Sequence, residues 1–364
     1  MKLHWFIANI ALLFWLLIWL YSRYALKHIG YSRHFSEKAV FEGESVEMVE
    51  RISNRKLLPL PWLRLESRVS TGLVFGSQGD MDIRGGEQFQ HHLSLFSLRP
   101  YRQIVRKHQV VCARRGIYKL NSAAMTSGDP LGIKVRTEQV PLSLELVVYP
   151  KPAPLGELPL PSHSWLGELA VRRWIVEDPF LTSGSREYQP GDPLNAVNWK
   201  ATARTGELQV HKKDFTADHR LMICLNFEVT ESMWSTVTDP ERVERAIRYA
   251  AAVADYALAR GIDTGLLCNG WTEREPKEAV HIEPGGGMPQ LTQLLETMAA
   301  LQLDSCAAMD ALIKQMAEKA DASTDYLLIS CHEGERLRGA AEELARRGNG
   351  IEWLLVADQG VGLP

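Results

Sequence analysis

From Leu3 to Tyr21 the chain reads LHWFIANIALLFWLLIWLY, without a formal charge and with only His4 and Asn9 clearly polar. A helix of about 20 residues rises roughly 30 Å, the hydrocarbon thickness of a bilayer, so the run predicts one transmembrane helix. Trp5 and Phe6 at one end and Trp19, Tyr21 and Tyr24 at the other form the expected interfacial belts. The alternative is a cleaved signal peptide. Against it stand the length of the apolar run, an n-region reduced to Lys2, and no small-x-small cleavage site. The far flank carries Arg23, Lys27, Arg33 and Lys38, so flanking charge predicts a single-pass inner-membrane protein with its body in the cytoplasm.

The remainder of the 364 residues is ordinary enough, at 45% hydrophobic overall, to build two soluble domains. A net charge of −3 with mixed signs gives no basic field for nucleic acid. Cys112, Cys224, Cys268, Cys306 and Cys331 are an odd, dispersed set without a C-x-x-C pair, which suits free thiols in a reducing compartment.

Residues 45–52, 63–69, 88–98, 103–113 and 142–149 have strand character. Between them stand Asn54, Pro59–Pro61, Gly76–Gly79, Gly85–Gly86 and Gly128-Asp129-Pro130. Short strands at this spacing predict a β-sandwich over 37–150 behind an anchor at 1–28. Pro150, Pro152, Pro154, Pro159 and Pro161 mark a proline-rich linker, 151–183. Beyond it apolar strand-like runs at 221–227, 262–268, 326–331 and 351–357 alternate with helical patterns at 241–260, 289–301, 307–319 and 335–347. That rhythm predicts a doubly wound α/β domain within 184–364, making the whole a multidomain α+β chain.

The most distinctive segment joins Gly184-Ser-Arg-Glu-Tyr-Gln-Pro-Gly-Asp192, Val197-Asn-Trp-Lys-Ala-Thr-Ala-Arg204 and Leu208-Gln-Val-His-Lys-Lys213. It resembles the signature of the bacterial domain of unknown function 58 (DUF 58) family: an Arg-x-Tyr-x-x-Gly-Asp turn, a Trp-x-x-(Ser/Thr)-Ala-Arg segment and a basic strand. The stretches 41–44, 54–62, 115–118, 129–132 and 282–287 extend the resemblance over nearly the whole soluble chain. It implies a sandwich followed by a von Willebrand factor type A-like, Rossmann-like domain. The family commonly carries two N-terminal spans, whereas this chain shows one. The signature residues are Arg186, Tyr188, Gly191, Asp192, Trp199 and Arg204. Glu187, Asp192, Lys200 and the two arginines are of the types that pair by charge, either as a partner- or ligand-binding surface or as a clasp holding an extended segment to the sheet.

Type A domains often hold a divalent cation through Asp-x-Ser-x-Ser after the first strand. Here Asn226 stands in the aspartate position, Glu228 in the first serine position, and Thr230 follows. Ser330-Cys331-His332 occupies the later acidic position. Losing the leading charge and gaining a soft thiol predicts a degenerate Mg²⁺ site and no metal or other cofactor. Gly285–Gly287 precedes Met-Pro rather than Lys-Ser/Thr and is not a P-loop. His91-His92 and His211…His219 lack diagnostic ligand spacing and read as surface histidines. Cys331-His332 has no orienting partner and reads as a buried structural cysteine.

These features predict a membrane-anchored, non-enzymatic interaction or scaffold protein. The resemblance adds a MoxR-type AAA+ ATPase as cytoplasmic partner, in assembly or maturation of protein complexes. Two other classes stay open: a hydrolase or transferase using the Arg186–Arg204 segment, and a metal-dependent adhesion module.

Overall fold

A computed structural model describes residues 2–76, 81–85, 89–159, 177–188, 197–215, 220–231, 236–273, 277–319 and 324–358. The chain is mixed α+β and divides into two compact units, Met1–Lys151 and Pro152–Pro364.

The first unit begins with helix α1, Lys2–Tyr24, which is long and apolar enough to cross a bilayer. Its final carbonyls are not left open. Lys56 Nζ donates to Tyr24 O at 2.7 Å and Lys27 O at 2.9 Å, and also to Ala25 O. A C-terminal cation of this kind satisfies orphan carbonyls and complements the helix dipole. Ala25 and Leu26 are buried, and strand β1 (Ile29–Phe35) starts at once.

Strands β2 (Ala39–Phe41), β3 (Ser45–Asn54), β4 (Leu60–Ser70), β5 (Leu73–Phe75), β6 (Met81–Gly85) and β7 (Phe89–Leu98) follow. They lead into β8 (Gln103–Cys112), β9 (Gly116–Gly128) and β10 (Val135–Tyr149). One sheet has the order β1-β3-β8-β5 and the other β2-β10-β9-β4-β7-β6. Their inward side chains meet in a shared core: Val46 and Met48 of β3 and Val110 of β8 pack with Leu120 of β9 and Leu146 of β10. Period-two alternation supplies that face, as in β4, where Leu63, Leu65 and Val69 are buried.

A buried polar cluster interrupts this core. Arg33 Nη2 donates to Glu50 Oε1 at 2.8 Å, Arg33 Nη1 to Ser67 Oγ at 3.0 Å, and Tyr31 Oη to Glu50 Oε1 at 2.7 Å. His108 Nε2 lies 3.7 Å from Glu50 Oε2, and His92 packs edge-on against Phe75. The surface reading of His92 is therefore corrected. Strand β7 alternates, so His92, Ser94, Phe96 and Leu98 turn inward while His91 is exposed.

The second unit opens with β11 (Glu177–Glu187), helix α2 (Trp199–Thr205) and β12 (Gln209–Phe215), the two strands pairing antiparallel. The linker expected to reach 183 thus gives way to ladder pairing from Glu177; residues 160–176 lie outside the described set. Next come β13 (Arg220–Leu225), α3 (Pro240–Ala259), β14 (Asp263–Cys268), β15 (Gly270–Thr272), β16 (Val280–Gly285) and α4 (Gly287–Ala300). The chain continues through β17 (Leu301–Ser305), α5 (Met309–Lys319), β18 (Thr324–Ser330), α6 (Glu335–Arg346) and β19 (Ile351–Leu355). The main sheet has the order β16-β14-β13-β18-β19; β14, β13, β18 and β19 are parallel and β16 is an antiparallel edge.

Helices α5 and α6 cover one face through Met309, Ile313, Ala317, Leu337 and Leu344 against Met222, Cys224, Tyr326 and Leu328. Helix α3 packs along β13, β14 and β18 with an apolar stripe that includes Val243, Ile247, Ala250, Val253 and Ala257. It starts at Asp239, whose side chain accepts from Arg242 N at 3.1 Å, with Pro240 next. Gly261 follows it with φ of 71°, the left-handed conformation expected of a C′ glycine.

Candidate functional site

The signature segments converge on one hairpin. Val197 bridges Val210, Asn198 N donates to Gln209 O at 2.7 Å, and Tyr188 N donates to Leu208 O at 2.9 Å. Asn198 caps α2: its Oδ1 accepts from Ala201 N at 3.1 Å, and its Nδ2 donates to Ser185 Oγ at 2.9 Å. Thr202 Oγ1 donates to Asn198 O at 2.9 Å and accepts from Gln209 N at 3.0 Å, so the helix is stitched to both ends of its loop. The motif is therefore a short helix enclosed by an antiparallel pair of strands. Asn198 and Gly206 are the N-cap and C′ signals that mark it.

The helix presents Trp199 68% exposed, with Lys200 and Arg204 also exposed, and Tyr188, just after the end of β11, is half-buried. Arg186 holds the ladder position opposite Val210. Its side chain lies outside the described residues, as do Gly191 and Asp192, so the expected charge network falls largely outside them.

The second candidate is the crevice at the carboxyl ends of β13 and β18. From β13 the chain passes through α3 to β14 on one side; from β18 it passes through α6 to β19 on the other. Such a reversal of strand order, between parallel strands, is where wound α/β sheets open a cleft. Here the cleft measures about 760 Å³ and is lined by Glu228, Glu231, Cys306, Asp310, His332 and Arg336, among others.

Its floor is a closed polar network. Asn226 Nδ2 donates to Ser330 Oγ at 3.1 Å; Asn226 Oδ1 accepts from Asn269 Nδ2 at 2.9 Å and from Glu228 N at 3.1 Å. Asn269 Oδ1 accepts from Phe227 N at 2.8 Å, and Ser330 Oγ donates to His332 O at 2.6 Å. Both acceptor positions of the Asn226 carbonyl are thus in use. Thr230 is exposed. Among the described residues no three His, Cys, Asp or Glu side chains converge as metal ligands.

Glu228 Oε1 accepts from Met309 N at 3.4 Å at the start of α5, and Glu231 Oε1 accepts from Arg336 N at 3.3 Å at the start of α6. Helix N-termini favour anions, so the chain fills both with its own carboxylates. Burial pushes the Glu228 carboxyl up, against the Met309 N–H and His332, which favour its charge. His332 Nδ1 lies 3.0 Å from Glu228 O; a carbonyl only accepts, so that nitrogen carries the proton. Cys331 is buried, and burial, only partly opposed by the nearby Arg242, pushes its thiol up to about 11. A thiol so held is a poor nucleophile near neutral pH. No pattern in the sequence marks Asn269, Glu231, Asp310 or Arg336: the first two stand in loops, and the others in the first turns of α5 and α6.

One apolar N-terminal helix, a two-sheet unit and a mostly parallel sheet preceded by this strand-helix-strand motif define a mixed α+β class. Residues 184–348 match the family described as "Protein of unknown function DUF58". The chain is also similar to the uncharacterized protein YeaD of Bacillus subtilis (strain 168), at 20% identity over 266 residues. That alignment covers 73% of this chain and 62% of the relative, so the chain spans less than two thirds of YeaD. Among solved structures, a non-cellulosomal cohesin from Archaeoglobus fulgidus aligns at 11% identity and a TM-score of 0.22. It covers 32% of this chain and 90% of the cohesin. Spo0M, a sporulation control protein from Bacillus subtilis, aligns at 10% identity and a TM-score of 0.19, over 45% of this chain and 59% of Spo0M. At such TM-scores neither likeness bears on this chain's activity.

Proposed function

We propose that this chain is a membrane-anchored interaction protein, without catalysis of its own, working beside a MoxR-type AAA+ ATPase in the assembly or maturation of protein complexes. Helix α1 serves as a retained single span of the inner membrane, with the two units on the cytoplasmic side. The wound sheet is read as a von Willebrand factor type A-like domain with a degenerate cation position. The observation that carries the reading is Trp199, largely exposed on a firmly capped helix. An exposed tryptophan on a short capped helix that also carries Arg204 has the composition of an interface anchor. The satisfied polar floor at Asn226 and the protonated Cys331 thiol support a binding surface over a reaction centre.

Affinity capture with the full-length chain, in detergent and with nucleotide present, is expected to recover an AAA+ ATPase. Trp199→Ala is expected to weaken that recovery by about tenfold or more, as loss of a hot-spot anchor does. Because the side chain is exposed, folding should be unaffected. Repeated recovery of no such ATPase would overturn the partnership, and equal recovery with Trp199→Ala would overturn the assigned surface. A reporter fused at the C-terminus decides sidedness; activity outside the cytoplasm would reject the cytoplasmic placement.

A further inference from the structure

We propose that the end of the first unit from which α1 emerges is a lipid-headgroup site, a basic footprint with apolar tips that settles on an anionic bilayer surface. This rests on reading α1 as a retained span. The strand register gathers the parts. Ile29 lies opposite Asn54, Ser53 opposite Gln103, Leu60 opposite Leu98, and Val135 opposite Gly128. The loops 55–59, 99–102 and 129–134 therefore all sit at the end where the helix enters.

Hydrogen bonds bind them there. Arg55 N donates to His28 O at 3.0 Å and Asn54 N to Arg102 O at 2.9 Å. Asn54 Nδ2 donates to Leu58 O at 2.9 Å and Arg99 O at 3.2 Å, and Trp62 Nε1 donates to Asp129 O at 2.9 Å.

What these loops display is specific. Leu57, Tyr101, Ile133 and Leu131 are 75%, 67%, 65% and 62% exposed, more than any other large hydrophobic side chain described in this unit outside α1. Around them stand Arg23, Lys27, Arg55, Arg99, Arg102 and Lys134, while Lys56 is committed to the helix carbonyls, and residues 21–28, 55–59, 99–102 and 130–134 contain no Asp or Glu. The neighbouring acid, Asp129, is buried and spent on its own loop, accepting from Lys134 N at 2.6 Å and Leu131 N at 3.2 Å.

The backbone agrees. Among the described residues, His28 with φ of 57° and Tyr101 with φ of 51° are the non-glycine positions at positive φ, and both belong to this end. An aromatic residue held there is uncommon. Isolated exposed hydrophobics are ordinary, but four loop tips ringed by an excess of cations at a helix exit match the layering of a membrane surface. Aromatic and aliphatic tips sit at headgroup depth, and Lys and Arg meet the phosphates.

The test uses the full-length chain in nanodiscs of phosphatidylcholine alone or mixed with phosphatidylglycerol, read by amide hydrogen exchange. Exchange at 55–58, 101–102 and 131–134 is expected to slow by about fivefold or more in the anionic discs. Residues 113–115, at the opposite end, should not respond. A variant carrying Arg55→Gln, Arg99→Gln, Arg102→Gln and Lys134→Gln should lose the difference at unchanged Tm. Equal exchange in the two bilayers overturns the proposal. So does protection that grows with protein concentration in detergent, which would mean a second copy covers the surface. Intact mass separates the two failures: loss of residues 1–28 from the mature chain overturns the anchor and the footprint together, whereas their retention with unresponsive loops overturns the footprint alone.

Discussion

Glu50 is the buried carboxylate to which Arg33 and Tyr31 both donate in the first unit's core. Burial would raise its carboxyl pKa, but His108 beside it, the Arg33 charge and the hydrogen bonds from Arg33 and Tyr31 hold it at about 2. A carboxyl depressed in the folded state stabilises above its unfolded value of 4.5, and that contribution is lost as pH falls towards about 2. His92 acts earlier. Burial, with the Arg33 and His108 charges, lowers it from 6.5 to about 4, so the unfolded chain takes up its proton first. Stability should therefore fall as pH drops from about 6.5 to about 4, and thermal melts across that window should show it. His92→Leu is expected to flatten the upper part of the slope and leave the Glu50 part below it. Glu50→Gln leaves Arg33 buried without a counter-charge and should cost about 3–5 kcal/mol in denaturant unfolding. In the second unit, Asn226→Ala strands Glu228 N and Asn269 Nδ2 and should cost about 1–3 kcal/mol. Millimolar Mg²⁺ or Mn²⁺ is expected to leave the melting temperature unchanged; a clear rise would restore the cation site.

At the scale of elements, local signals and tertiary pairing divided the fold between them. Helix α3 was legible because its cap, proline, apolar stripe and closing glycine agree, and Asp239→Ala should cost about 1 kcal/mol in a thermal or denaturant melt. Strand β9 was not legible: its run Asn121-Ser-Ala-Ala124 has poor strand propensity, and it extends because β4 and β10 pair with it from both sides. Strand β1 was hidden by its polar members, since Arg33 points inward only where Glu50 awaits it. The Pro59–Pro61 breaker marked a strand boundary, with interior strand β4 running from Leu60 and Pro61 tolerated at its beginning. The start of β15 shows how tightly the elements fit. A Cβ added at Gly270 would lie 2.6 Å from Cε2 of Phe227, a ring fully buried in the core. Gly270→Ala should therefore destabilise by about 1–3 kcal/mol.

For the whole molecule, the signature announced itself in sequence while its geometry did not. Three separated segments read as one motif, yet only the ladder of β11 with β12 shows that they enclose a helix presenting Trp199. The crevice was half visible, because Asn226 and Ser330 end strands that apolar runs reveal, whereas Asn269 and Glu231 arrive from loops without a pattern. The junction of α1 with the sheets has a mechanical consequence. Between Tyr24 and Ile29 the chain buries Ala25 and Leu26 and ties its carbonyls to Lys56, which leaves no slack length to act as a swivel. The helix and the first unit should then turn as a lever with a fixed fulcrum. A pull on that unit would be delivered to α1 as torque and tilt, where a leash would dissipate it.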